Sequence, residues 1–125
     1  MKAFGETIRD LRSAQDLGLR ETAGLVGISP AYLSRIERGK ERPPSPEIIK
    51  ALAKTLAADP DVLFRLSSST DPEIVDYLHE NPEAMNLIRY IKEAGLTSQS
   101  IEQLMGTAKE LSDNDETKQG RVKNR

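Results

Sequence analysis

The sequence of 125 residues predicts an all-α protein, and two observations lead to that fold class. First, a short polar residue precedes proline at five places: Ser29–Pro30, Ser45–Pro46, Asp59–Pro60, Asp71–Pro72 and Asn81–Pro82. Ser, Asp and Asn accept amide hydrogens of a first helical turn, and proline at the first helical position loses no hydrogen bond there. Second, apolar residues recur at helical spacing, and strand-like alternation is absent. The polar–proline pairs therefore imply five helix starts.

The first five helices are predicted from the spacing of their apolar residues and from the glycines that end two of them. Helix 1, for example, places Phe4, Ile8 and Leu11 on one face. Gly27 ends helix 2, and Gly39 ends helix 3. The five helices are expected over 3–15, over 19–26, from Pro30 to Gly39, from Ser45 onward, and over 60–66.

Three more helices are expected after the serine-rich stretch "SSST" at 67–70, which we interpret as a linker. They are expected over 72–80, 82–94 and 98–111. The remaining residues, 112–125, are almost wholly polar, so we expect a disordered tail there. The predicted organisation is a domain over 1–66, the linker, a helical segment over 71–111, and the tail.

The composition argues against catalysis, metal binding and a membrane location. The chain has no cysteine, so disulfides, thiolate zinc sites and cysteine nucleophiles are excluded, and its one histidine, His79, cannot build a typical zinc site alone. No phosphate-binding glycine loop or nucleophile motif is present, and we expect no enzyme activity and no cofactor. No apolar run approaches the roughly 20 residues of a membrane span, and no signal peptide is apparent. We therefore expect a cytoplasmic protein.

The charge is distributed unevenly, although the whole chain carries only −2. Residues 1–66 contain 11 Lys and Arg against 9 Asp and Glu, a net charge of +2. Residues 67–125 contain 7 against 11, a net charge of −4. Two halves of opposite sign indicate two different roles.

Helices 2 and 3 are joined by the three-residue turn "GIS" at 27–29, which is typical of a helix-turn-helix. On a helical projection, one side of helix 3 carries Leu33, Ile36 and Glu37 and is expected to face the core. The other side is small or cationic and could lie in a DNA major groove. It carries Ala31, Ser34, Arg35 and Arg38, with Tyr32 on its flank, and Lys40 and Arg42 continue the positive line. From charge alone, an ordinary solvated helix face remains the alternative.

Residues 4–66 resemble the Xre/Cro-type helix-turn-helix domain of phage and bacterial repressors. The matching stretches are "IRDLR" (8–12), "ETAGLVGIS" (21–29), "YLSRIERGK" (32–40) followed by Pro43 or Pro44, and "ALAKTLAADPDVLF" (51–64). The chain is similar to the SinR-like regulators, whose domain is followed by a short helical oligomerisation segment. The resemblance implies a five-helix, lambda-repressor-like domain followed by a small helical segment.

The resemblance also implies that Ala31, Tyr32 and Arg35 touch base edges, whereas Arg38, Lys40 and Arg42 lie near the DNA backbone. Two positions depart from the family. Leu19 stands where many members have a DNA-contacting glutamine, and Gly18 replaces the usual Ser or Thr cap. Arg20 could reach phosphate in place of the glutamine. The DNA-binding residues expected are Arg20, Ser29, Ala31, Tyr32, Ser34, Arg35, Arg38, Lys40 and Arg42.

Arg12 and Glu37 resemble a pair that the family uses to link helix 1 to the recognition helix, which is helix 3 in this sequence. The physical reasoning agrees, because a glutamate on the core side needs a partner and arginine can supply a bidentate one. We expect this pair to serve structure and not chemistry.

Helices 7 and 8 carry apolar stripes, but about 41 residues rarely bury enough apolar surface to fold alone. Repressors of this kind favour twofold symmetry because their half-sites lie about 34 Å apart. We therefore expect residues 71–111 to mediate homodimerisation. The dimerisation residues expected are Leu87, Ile88, Ile91, Ile101, Leu104, Met105 and Leu111. The alternatives are an extension of the chain's own core and a site for a partner or ligand.

These observations predict a sequence-specific regulator that binds double-stranded DNA. We expect a repressor that binds a palindromic operator as a homodimer through the major groove. The alternative is an antitoxin or protein-interaction module, which neutralises a protein partner through residues 71–111 and binds DNA only to control its own operon.

Overall fold

A computed structural model describes residues 3–119 of the chain. Within them the structure contains eight helices and no strand, which confirms the predicted all-α fold. The helices are α1 (Phe4–Ala14), α2 (Leu19–Val26), α3 (Pro30–Glu37), α4 (Pro46–Thr55), α5 (Pro60–Leu66), α6 (Pro72–Glu80), α7 (Pro82–Ala94) and α8 (Ser98–Gln119).

The polar–proline pairs mark the starts of α3 to α7. The side chains of Ser29, Ser45, Asp59 and Asp71 each accept a hydrogen bond from an amide in the first turn of the following helix. The fifth pair differs, because the side chain of Asn81 makes no such cap at the start of α7. Proline at the first helical position is common to all five. Local backbone chemistry thus accounts for most of the helix starts.

Two helix ends differ from the sequence expectation. α3 ends at Glu37 and not at Gly39, because Gly39 has a φ of +71° that turns the chain out of the helix. α8 continues to Gln119, so the part of the expected disordered tail from 112 to 119 is helical. No glycine or proline follows Gly106 before Gln119, so nothing there interrupts the helical hydrogen bonds. Residues 120–125 of the expected tail lie outside the described residues.

The hydrophobic core is built by α1 to α5 together with Leu56, which directly follows α4. Burying one such large aliphatic or aromatic side chain stabilises a fold by about 1.5–3 kcal/mol. The core residues are Phe4, Ile8, Ala23, Leu33, Ile36, Ile49, Leu52, Ala53, Leu56, Leu63 and Phe64. The inner side of α3 packs against this core, and the outer side of α3 faces solvent.

α1 approaches α3 closely, and Gly5 makes that approach possible. A Cβ atom built on Gly5 would overlap the carbonyl oxygen of Ile36 and lie 3.0 Å from that of Glu37. Gly5 is itself buried. Any side chain at this position would therefore push the two helices apart.

The start of α6 is tied to α4 by an ionic cluster. The Nζ atom of Lys50 lies 3.1 Å from Oδ1 of Asp71 and 2.9 Å from Oε2 of Glu73. The hydrogen bond to Glu73, followed by that to Asp71, raises the pKa of Lys50. The amide of Glu73, followed by Lys50, lowers the pKa of Asp71. The cluster therefore favours the charged form of both groups.

The chain divides into two compact units, and the division falls after Tyr77, within α6. The beginning of α6 belongs to the first unit, where the cluster around Lys50 attaches it to α4. The second unit begins at Leu78 and contains α7 and α8. No helix in the described part of the chain combines the length and the apolarity needed to cross a bilayer.

Candidate nucleic-acid interface

α2 and α3 are joined by a tight turn at residues 27–29. Gly27 has a φ of +92°, a left-handed conformation that glycine adopts without steric cost. The amides of Gly27 and Ile28 both donate to the carbonyl oxygen of Ala23, at 2.8 and 3.0 Å, and so end α2. The hydroxyl of Ser29 then accepts the amide of Tyr32 at 3.0 Å and begins α3. Three residues thus connect two helices through a tight turn, as in a helix-turn-helix.

The two sides of α3 differ in burial. Leu33, Ile36 and Glu37 are buried on the inner side, where the helical projection placed them. Ala31 and Arg38 are exposed on the outer side. Tyr32, Ser34 and Arg35 are half-buried and lie at the border. α3 therefore offers a surface of one methyl group, a hydroxyl and two guanidinium groups.

Arg12 and Glu37 meet in a two-point ion pair between α1 and α3. Nε of Arg12 donates to Oε2 of Glu37 at 2.7 Å, and Nη2 donates to Oε1 at 3.0 Å. The third nitrogen, Nη1, donates to the carbonyl oxygen of Leu17 at 2.9 Å. The two side chains are only 17% and 5% exposed, and the hydrogen bond to Glu37 raises the pKa of Arg12. The pair joins α1, the loop after it and α3.

Arg35 is held from two sides. Its Nε atom donates to Oε2 of Glu41 at 2.8 Å, and its Cζ atom lies 5.8 Å from the centroid of the Tyr32 ring. A cation within about 6 Å of an aromatic ring is attracted to the ring face. Arg35 remains 44% exposed, so it is restrained without being removed from solvent.

The two serines of the expected DNA-binding set have partners within the protein. Ser29 caps α3, and Ser34 accepts a hydrogen bond of 3.2 Å from Nε of Arg38. Both hydroxyls therefore contribute to the local structure of α3: one caps the start of the helix and the other accepts from an arginine.

The other expected cations lie around α3. Arg20 is exposed in the first turn of α2, and Lys40 and Arg42 are exposed in the loop after α3. Among the described residues, none of the three has an ion-pair partner. Leu19, at the position where many family members carry glutamine, packs against the core and so has a structural role.

Two residues of this region were missed by reasoning from the sequence. Glu41 lies between Lys40 and Arg42, and a lone acidic residue in a cationic run was the available signal. Gly5 had a weaker signal, because a glycine inside a helix lowers stability and therefore needs a packing reason. In the described part of the chain, no group of three or more His, Cys, Asp or Glu residues could hold a metal ion.

Part of the chain is similar to known helix-turn-helix proteins. The family profile described as the helix-turn-helix domain matches residues 3–66, just over half of the chain. The HTH-type transcriptional repressor RghR of Bacillus subtilis (strain 168) is 45% identical over 56 residues, which are 45% of this chain and 42% of RghR. An HTH-type transcriptional regulator of Mycobacterium tuberculosis (strain CDC 1551 / Oshkosh) is 34% identical over 68 residues, 54% of this chain and 48% of that protein.

Among solved structures, the P22 c2 repressor in complex with a synthetic operator is 32% identical, with a TM-score of 0.47. The similarity covers 50% of this chain and 94% of the repressor chain. The matched regions make up less than half of the lengths of RghR and of the mycobacterial regulator.

The family profile spans α1 to α5, the helices that form the core and present α3. It is the profile of a binding domain and not of an enzyme, in agreement with the sequence prediction. The chain belongs to the helix-turn-helix domain family.

Proposed function

We propose that this protein is a transcription regulator that binds double-stranded DNA by inserting α3 into the major groove. The observation that carries the proposal is the outer side of α3, where the small residues Ala31 and Ser34 lie beside Arg35 and Arg38 and the inner side is packed on the core. A helix with short side chains can approach base edges closely, and a long guanidinium can then reach guanine. The name of the relative RghR, a transcriptional repressor, supports repression as the sign of regulation.

Each outward residue has a proposed role. Arg35 donates to the O6 and N7 atoms of a guanine, and the methyl group of Ala31 contacts a thymine methyl or the sugar edge. Tyr32 supports Arg35 with its ring. Arg38 binds a phosphate while Ser34 holds its Nε atom. Base contacts of this kind specify sequence, whereas phosphate contacts fix the register of the protein on the duplex.

Arg20, Lys40 and Arg42 are proposed to bind phosphates on either side of α3. Each phosphate contact releases about one condensed counterion, so binding is expected to weaken as the salt concentration rises. The net charge of +2 in residues 1–66 favours the approach to DNA, and the net charge of −4 in residues 67–125 disfavours contact of that half with the duplex. We also propose that the protein lies in the cytoplasm, where it would meet operator DNA.

We further propose that the protein acts as a homodimer on a palindromic operator. The supporting observation is apolar surface on α7 and α8. Six of the seven predicted dimerisation residues are exposed, namely Leu87, Ile88, Ile101, Leu104, Met105 and Leu111, and Ile91 is half-buried. Exposed apolar side chains in this number support a contact surface on these helices, because large exposed apolar areas usually mark interaction sites. A dimer would present two copies of α3 to half-sites one DNA turn apart.

In vitro selection of bound duplexes tests the proposed reading of DNA. The wild-type chain is expected to select a palindrome whose half-sites are separated by about 10 base pairs. Arg35→Ala should relax the preference at one base pair of each half-site, where a bidentate arginine–guanine contact discriminates by about 1–3 kcal/mol.

Lys40→Ala is the matched cation variant. It should weaken binding to all selected sequences alike and reduce the slope of log K against log salt by about 0.9, as expected for one lost phosphate contact. If Arg35→Ala weakens all sequences equally, the base-reading role is wrong. If the wild-type chain selects no sequence, the proposed function is wrong.

A further inference from the structure

We propose that Glu41 is a specificity-determining positioning residue, which holds Arg35 so that the two terminal nitrogens of its guanidinium face the base. This inference rests on the proposed function. It concerns a carboxylate in the middle of a cationic surface, where a negative charge opposes binding to phosphate. Such a residue needs an explanation, and its contact with Arg35 provides one.

The loop after α3 brings Glu41 back to Arg35. The amide of Lys40 donates to the carbonyl oxygen of Arg35 at 2.8 Å, and the amide of Gly39 donates to that of Ile36 at 3.1 Å. Gly39 takes a left-handed conformation with a φ of +71°. The backbone of the loop is thus folded over the last turn of α3, and the Glu41 carboxylate lies 2.8 Å from Nε of Arg35.

The choice of nitrogen matters for readout. Glu41 engages Nε, and no described residue engages Nη1 or Nη2 of Arg35. These two nitrogens form the end of the guanidinium fork, and they match the paired O6 and N7 acceptors of guanine. With Nε bound to Glu41 and the Tyr32 ring at 5.8 Å, the guanidinium is restrained before DNA arrives. Restraint before binding reduces the entropy that a long side chain loses on complex formation.

The ion pair between Arg35 and Glu41 contributes little to the free energy of unfolding. Arg35 and Glu41 are 44% and 33% exposed, and exposed pairs contribute little to stability. Two effects of Glu41 on DNA binding are therefore expected, and they have opposite signs. Its charge weakens binding to every duplex, whereas its contact with Arg35 favours the duplex with guanine at one position.

The experiment compares Glu41→Gln with the wild-type full chain. The probes are four duplexes from the in vitro selection, differing only at the base pair whose preference Arg35→Ala relaxes. Glu41→Gln should bind the three non-preferred duplexes more tightly, and its preference for the guanine duplex should fall about two- to tenfold, the range expected from freeing one long side chain. The melting temperature should stay unchanged, which separates a role in readout from one in folding.

Two further variants make the result specific. Glu47→Gln removes one negative charge from the exposed first turn of α4, and it should leave the preference unchanged. In the Arg35→Ala background, Glu41→Gln should no longer alter the preference, because the carboxylate acts through that arginine. An equal gain on all four duplexes, or an unchanged effect without Arg35, overturns the inference. Absence of any sequence preference in the wild-type chain instead overturns the proposed function.

Discussion

At the scale of single residues, one largely buried ion pair joins α1 to α3. Arg12 donates through all three of its nitrogens, two to Glu37 and one to the carbonyl oxygen of Leu17. Because the hydrogen bond to Glu37 raises the pKa of Arg12 above its already high ordinary value, the guanidinium stays charged at any physiological pH. A charge that is always present and almost excluded from water must keep its partner.

Glu37→Ala is expected to destabilise the fold by about 3–5 kcal/mol, because it leaves the Arg12 guanidinium unpaired in a largely buried site. Thermal and urea denaturation measure this loss. The double variant Arg12→Met/Glu37→Leu should lose less than Glu37→Ala alone, because it leaves no buried charge and keeps apolar volume. If the double variant were the less stable of the two, the ion pair would not be the cause.

Two ion pairs show which contacts could be predicted from the sequence and which could not. The spacing of α3 and the family resemblance pointed to Arg12 and Glu37, whose side chains the structure brings within hydrogen-bond distance. The same reasoning did not find Glu41, because its contact with Arg35 depends on how the loop after α3 folds back. Periodicity describes residues along one helix and carries no information about a loop that returns to it.

At the scale of helices, the position of α3 depends on how closely α1 can approach it. The caps of α3 and α4 are local, and they follow from a serine and the proline after it. The distance between α1 and α3 is not local. It depends on the missing side chain of Gly5, opposite the carbonyl oxygens of Ile36 and Glu37.

Gly5→Ala is expected to destabilise the protein by about 1–3 kcal/mol, because the added methyl group overlaps backbone that cannot move without shifting α3. Gly24→Ala is the matched control within α2: its Cβ would meet no atom within 4 Å. That variant should stabilise by up to about 1 kcal/mol, since alanine is the better helix former. Urea denaturation of both variants measures the difference, and equal effects would contradict the steric explanation.

At the scale of the whole molecule, the chain combines a unit with a packed core and a unit that exposes apolar residues. The core residues all lie between Phe4 and Phe64. On α8, Ile101, Leu104, Met105 and Leu111 are exposed. A helix that exposes apolar side chains to water is stabilised when a partner covers them. In the proposed homodimer, the second copy of the chain would be that partner.

Leu104→Glu is expected to raise the dissociation constant of the homodimer at least tenfold, because burying one leucine is worth about 1.5–3 kcal/mol. Sedimentation of the full chain at several concentrations measures this change. Leu25→Glu replaces an equally apolar exposed residue on α2 and should leave the dimer unchanged. A wild-type monomer would contradict the dimer proposal and favour the alternative, in which residues 71–111 bind a protein partner.

The amino-acid sequence alone predicted where the helices begin, because caps, prolines and apolar spacing act within a few residues of one another. It also indicated the inner and outer sides of α3, since periodicity separates Leu33 from Arg35 without knowledge of the fold. The tertiary structure alone decided what lies opposite each side: the carbonyl oxygens facing Gly5, the carboxylate of Glu41 beside Arg35, and the attachment of α6 to Lys50. These contacts join residues that are distant in the chain or brought back by a loop. Their geometry follows from packing, which no local pattern encodes.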